Sequence, residues 1–138
     1  MDNSLLISKY IQAILEENTE IQTILDSDEH KIFPLLQPDS LTFPFIVHSR
    51  TGISVTYTSD IEYGNVGWYN TVSYTISCVS NDFIQCVELA NAVRHAVETY
   101  RWKDEDIFIH PIQLLSAVEY TTDNDVFVQE LQFQCIVE

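Results

Sequence analysis

A chain of 138 residues, 46% apolar and 20% charged, has the size and make-up of one globular domain with a single ordinary core. Its 6 Lys and Arg stand against 21 Asp and Glu, a net charge of −15. That balance excludes binding driven by counterion release from nucleic-acid phosphates, and it disfavours anionic membrane surfaces.

The first apolar pattern is helical. Leu5, Ile7, Ile11, Ile14 and Leu15, then Ile21, Ile24 and Leu25, recur at helical spacing, so residues from Ser4 to about Leu25 are read as helix with Ser4 as its N-cap. Asn18-Thr19 is a natural break, with Thr19 capping a short second piece, and Asp26-Ser27-Asp28-Glu29-His30 is a polar turn. A short strand, Lys31 to Leu35, follows. Pro34, Pro38 and Pro44 forbid a helix here and fix where the next strand begins. That strand, Phe45 to about Tyr57, bends at Gly52, and its Ile53, Val55 and Tyr57 alternate with Ser54, Thr56 and Thr58.

Gly64-Asn65 and Gly67 mark a hairpin tip. Trp68 to Val79 is the clearest strand, with Trp68, Asn70, Val72, Tyr74, Ile76 and Cys78 on one face. Asn81 to Tyr100 is the strongest helix. Asp82 and Gln85 have capping-box spacing, and Phe83, Cys86, Val87, Ala90, Val93, Val97 and Tyr100 form its apolar stripe. Asp104-Glu105-Asp106 is an exposed loop. Ile112 to about Thr121 and Val126 to Val137 are strands turned by Asp123-Asn124-Asp125. In the last strand Phe127, Leu131, Phe133 and Cys135 are out of step with Val126 and Val128, which points to a bulge. The order α-β-β-β-α-β-β predicts one α+β domain spanning 1–138. It is expected to hold a mainly antiparallel sheet of four to five strands with two main helices on one face.

Chemical motifs are scarce. Three scattered glycines make no phosphate loop, and no G-x-S-x-G, H-E-x-x-H or EF-hand pattern occurs. Asp26-x-Asp28 and Asp123-x-Asp125 lack the further ligands of a cation site and read as solvated turns. Cys78, Cys86 and Cys135 are odd in number and without C-x-x-C spacing, so they read as small buried hydrophobes. His30, His48, His95 and His110 fall on separate elements. A small enzyme using a His and carboxylate pair stays open only because such groups can converge from anywhere in a chain. No catalytic, cofactor or metal residue is assigned, and the chain is read as not an enzyme. Tyr57, Tyr63, Trp68 and Tyr69 flank one glycine-containing loop. They suit either a protein interface or the margin of the monomer core.

No run of about 18 uncharged apolar residues is present to span a bilayer. Met1-Asp2-Asn3-Ser4-Leu5 does not lead from a basic region into a long apolar stretch. No signal peptide is expected, and synthesis and retention in a reducing cytoplasm are.

Several stretches in order resemble the tail-completion or tail-terminator proteins of long-tailed bacteriophages and prophages. They are the N-terminal helix with its acidic turn, Ile32-Phe33-Pro34, the loop into Phe43-Pro44-Phe45-Ile46-Val47, and Val72 to Ser80 joined directly to the helix around Glu88 to Val97, with the closing hairpin from Phe127 to Val137. The resemblance covers nearly the whole chain, and it departs from the family in strong acidity and a tyrosine-rich loop. It implies a virion protein of the tail, made in the bacterial host, with no cofactor and no catalytic residues. It further implies a ring, commonly hexameric, that ends the tail tube and joins it to the head connector or stopper protein. In such a ring the acidic loops Asp104, Glu105, Asp106 and Asp123, Asp125 are expected to face the lumen and repel the passing genome. The alternative is a monomeric adaptor that binds another protein through the Tyr-rich hairpin.

Overall fold

The computed structural model describes residues 4–26, 31–35, 43–60, 65–100, 109–122 and 125–137, with the backbone path alone at 4, 57–60 and 65–68. Three α-helices lie on one face of a five-stranded sheet, as the α+β reading predicts. The strands β1 (Ile32–Pro34), β2 (Phe45–Asp60), β3 (Asn65–Ser80), β4 (Gln113–Thr122) and β5 (Val126–Val137) pair in the order β1-β2-β3-β5-β4. All pairs are antiparallel except β1 with β2. The sheet is therefore mixed, with Ile32 to Pro34 running beside Ile46 to His48 in the same direction.

The N-terminal helical run splits as its sequence suggests, but the caps differ. A 3-10 turn (Ser4–Leu6) precedes α1 (Ile7–Glu17), so Leu6 holds the cap position without a side-chain bond and Ser4 does not cap the α-helix. At the break, Asn18 rather than Thr19 is the cap of α2 (Thr19–Leu25), its Oδ1 accepting from the Ile21 N–H at 3.0 Å. Asn18 is extended, which frees its amide to reach the next helix's unpaired donors. Asp26 then turns left-handed at φ 43° and Lys31 closes the end, its buried Nζ donating to the Leu25 carbonyl at 3.2 Å. A cation on the last carbonyls also complements the helix dipole.

The helix α3 (Phe83–Thr99) lies across β3 and β5. Its cap is Asp82, whose Oδ1 accepts from the Ile84 N–H at 3.1 Å. The expected capping box does not form, because Asp82 bonds the Ile84 N–H and Ser80 takes the part of the Gln85 side chain. Ser80 Oγ accepts from the Asp82 N–H at 3.1 Å and donates to Gln85 Oε1 at 2.7 Å.

The main core lies between helices and sheet. Ile7, Ile11, Ile14 and Leu15 of α1 and Cys86, Leu89, Val93 and Val97 of α3 bury against Val72, Tyr74, Ile76 and Cys78 of β3. Each fully buried aliphatic side chain contributes about 1.5–3 kcal/mol, so these stripes hold the layers together.

A second, smaller cluster covers the opposite face at one end of the sheet. Phe45, Val79 and Val128 are buried there with Phe33, Phe43, Val47 and Val126 packed around them. This cluster explains the broken alternation in the last strand, where no bulge exists. β5 keeps unbroken register with β3 from Asn70↔Val137 to Ser80↔Phe127. Val126 and Val128 are apolar because they face the second cluster, while Leu131, Phe133 and Cys135 face the first. The register shifts fall elsewhere, at Thr51 in β2 beside Gly52 and at Leu115 in β4.

Candidate protein interfaces at the sheet margins

The sheet has two margins, and they are built alike. On one side β4 pairs only with β5, so its outer row of N–H and C=O groups meets no strand among the described residues. On the other side the three-residue β1 covers β2 only from Ile46 to His48, which among the described residues leaves β2 open from Ser49 to Asp60. Unpaired edges of this length are templates for another strand unless charge, proline or a bulge guards them.

Apolar side chains flank both margins. At β4, Leu115, Val118 and Tyr120 are 58%, 51% and 45% exposed, with Val118 and Tyr120 on the face away from the helices, and Phe83, Ile84 and Val87 of α3 are exposed on the helix side. Phe83 packs edge-on against Phe127, and these two with Glu119, Tyr120 and Thr121 line a groove of about 280 Å³. At the β2 margin Leu5, Leu6 and Val55 are exposed. Clusters of exposed apolar surface beside an open edge mark places where a soluble chain meets a partner.

The charges at the margins differ. Around β4, Tyr120 donates to Glu130 Oε2 at 3.3 Å and Gln129 donates to Glu119 Oε2 at 2.9 Å. Partial burial, then the Glu130 charge, raises the Tyr120 pKa above its usual value. Glu98 of α3 accepts from the Leu114 N–H at 3.2 Å and pairs with Arg94 at 3.2 Å, which ties the helix to the start of β4. The β2 margin carries the exposed cation Arg50, whose guanidinium donates to the Leu5 carbonyl at 3.4 Å.

The long hairpin outruns the sheet. β2 and β3 stay paired from Thr56↔Tyr69 through Asp60↔Asn65, whereas the last β5 partner sits at Asn70. A two-stranded ribbon of about 16 Å therefore projects beyond the third strand. Tyr57 and Trp68 are directly opposed in its register, and Tyr69 is half-buried at its base. Tyr63 lies outside the described residues, as do Asp104, Glu105, Asp106 and Asp123. Asp125 is exposed in the β4–β5 turn, with a left-handed φ of 58°.

The interior polar groups are structural in arrangement. His48 is buried, with Nε2 against Gln12 Oε1 and Nδ1 2.7 Å from the Tyr74 hydroxyl. An amide oxygen only accepts, so Nε2 carries the proton and Nδ1 accepts from Tyr74. Gln12 in turn donates to Glu16 Oε1 at 2.7 Å and to the Ile32 carbonyl at 3.3 Å, linking α1 to the sheet. Nothing in the spacing of these residues reveals this chain of bonds, since Gln12 and His48 meet only in the packed fold. Cys78, Cys86 and Cys135 are free and buried, as expected; burial pushes the thiols of all three up, that of Cys135 to about 12. Among the described residues no three His, Cys, Asp or Glu groups come together as a metal site, and no helix is long and apolar enough to cross a membrane.

No protein-family model matches the sequence, and no curated protein matches it. Among solved structures, the chain superposes on one chain of the virion of a native gene transfer agent particle with a TM-score of 0.71, covering 93% of this chain and 91% of that one. The two are 17% identical. They share a fold.

Proposed function

We propose that this chain is a structural protein of a phage-type virion. It forms a ring at the head-proximal end of the tail, ends the tail tube and joins it to the head connector, without catalysing a reaction. The observation that carries the reading is the end-to-end likeness to a gene transfer agent virion chain. It agrees with the ordered stretches that resemble tail-completion proteins. The fold's two open margins also suit a subunit that must meet copies of itself on two sides. The sealing of His48 between Tyr74 and Gln12 favours a non-enzymatic role over a histidine-based one.

Its acidity fits the same picture. Six copies would gather a charge of about −90 from a per-chain charge of −15 around the opening through which DNA passes, and like charge keeps a polyanion from sticking. The decisive experiment is deletion of the gene in a particle-producing strain, with electron microscopy of the lysate. Full heads separated from tails, with tubes of uncontrolled length, are expected, and supplying the gene in trans restores joined particles. Normal particles from the deletion strain would refute the proposal. The adaptor alternative predicts a protein that stays monomeric and is absent from purified particles.

A further inference from the structure

We infer that the two open sheet margins are the two halves of one head-to-tail interface, in which β4 of one copy adds to the free edge of β2 in the next. The choice of a second copy as occupant rests on the ring reading above; the complementarity of the margins stands on the structure.

Three observations carry it. Of the ten large apolar side chains exposed among the described residues, three are on β4 (Leu115, Val118, Tyr120), three on α3 (Phe83, Ile84, Val87), and Leu5, Leu6 and Val55 are at the β2 margin, with Leu35 the exception; Val118 and Tyr120 are on the face away from the helices. The β4 edge is lightly guarded beyond its irregularity at Leu115, since Gln113 to Thr122 contains no Lys and no Pro, and Glu119 is its one charge. Finally, the charges complement. Arg50 stands at the β2 margin, whereas at the β4 margin Glu119 and Glu130, with Glu98 paired to Arg94, leave an excess of negative charge. Arg50 is paired with Tyr74, and Glu119 is paired through Gln129 with Cys78. Tyr74 and Cys78 both face the helices, so the cation and the carboxylate emerge on the same face of the sheet.

Geometry fixes the direction of pairing. Within one sheet β4 runs opposite to β2, and rotation about an axis along the strands preserves those directions, so the joined edges run antiparallel. The margins are offset along the strands. β4 lies level with Ser73 to Ser80 of β3, and open β2 lies level with Asn65 to Thr75. Joining them requires strands that tilt across the ring axis, as strands do whenever a sheet closes on itself. Because the two surfaces differ, each copy keeps one of each free until the ring closes.

The test uses two blocked variants of the full chain, Val118→Lys at β4 and Val55→Lys at β2, with Leu35→Lys as control, read by native mass spectrometry and analytical ultracentrifugation. Wild type and the control are expected to form the same closed oligomer. Each blocked variant is expected to associate at least about tenfold more weakly, because an unpaired lysine ammonium must be desolvated at the joint. Equimolar mixing of the two is expected to give a one-to-one dimer and nothing larger, since only one good pair of margins remains. Thermal melts confirm folding, and Leu115→Gln repeats the β4 reading if a lysine variant unfolds. Unchanged assembly of either variant, homodimers of either, or a mixture that stays monomeric would overturn the inference. So would a wild-type chain that stays monomeric up to millimolar concentration, and in that case the deletion phenotype still decides the virion role separately.

Discussion

Replacing Phe45 by alanine tests the claim that the sheet is packed on both faces at one end. Phe45 is 1% exposed, stacks on Phe43 with ring centroids 5.7 Å apart and meets Phe33 edge-on at 6.2 Å. An aromatic side chain buries about 150–250 Å², of which truncation to alanine returns roughly 100 Å² or more to a cavity or to water. At about 25 cal/mol per Å² the transfer loss is about 2.5 kcal/mol, and two aromatic contacts add about 0.5–1.5 kcal/mol each. The sum, about 4 kcal/mol, lies within the range of about 3–5 kcal/mol typical of buried Phe to Ala changes, and it is a large share of the roughly 5–15 kcal/mol a domain possesses. Ile46, the next residue, points into the helix-covered core and is 0% exposed, so Ile46→Ala is expected to cost about 2–5 kcal/mol. Urea denaturation followed by circular dichroism reads both as a fall in midpoint at constant slope. Leu35→Ala, at a site 73% exposed, is the control and stays within about 0.5 kcal/mol of wild type. A cost below about 1 kcal/mol for Phe45→Ala would show that the second cluster adds nothing to the cooperative unit.

Two further outcomes follow from local geometry. Asp82→Ala removes the cap on the Ile84 N–H and is expected to cost about 1 kcal/mol, measured by the same titration, while Asp82→Asn retains most of it. Cys135, held at about 12 by burial, contributes stability in its neutral form. That contribution is fully present below the ordinary thiol pKa of about 8.5 and is lost as pH rises from there toward 12. Stability is therefore expected to fall through this alkaline window, with Cys135→Ala flattening the fall, and thiol reagent at pH 8 should leave the folded cysteines largely unmodified until urea is added. Rapid labelling of the native protein would contradict that burial.

Much of the fold was written in local patterns. The α1 stripe, the break at Asn18, the alternation from Asn70 to Cys78, the helix beginning at Phe83 and the hairpin closing at Val137 all depend on periodicity and on residues with strong backbone preferences, which act over a few positions. The capping partners were less legible. Ser80 displaced the Gln85 side chain from a reciprocal box with Asp82 because the end of β3 holds its hydroxyl at the helix entrance, a matter of tertiary position. The last strand misled in the same way. Val126 and Val128 break alternation only for an observer who expects one buried face, whereas Phe45 and Val79 bring a second. The tyrosines around the hairpin were visible as a group, yet the stronger candidate margin, with Phe83 and Val87 of a helix over one face of the sheet and Val118 and Tyr120 of a strand on the other, has no sequence signature.

Sequence alone thus determined the elements, their order, the acidic surface and the absence of a recognisable reactive motif, because these depend on composition and short-range spacing. Tertiary structure decided which strands stand at the margins, which apolar residues remain uncovered there, and how a histidine, a tyrosine and a glutamine far apart in the chain share protons. Strand order and burial arise from long-range pairing, in which each residue's environment is set by neighbours tens of positions away.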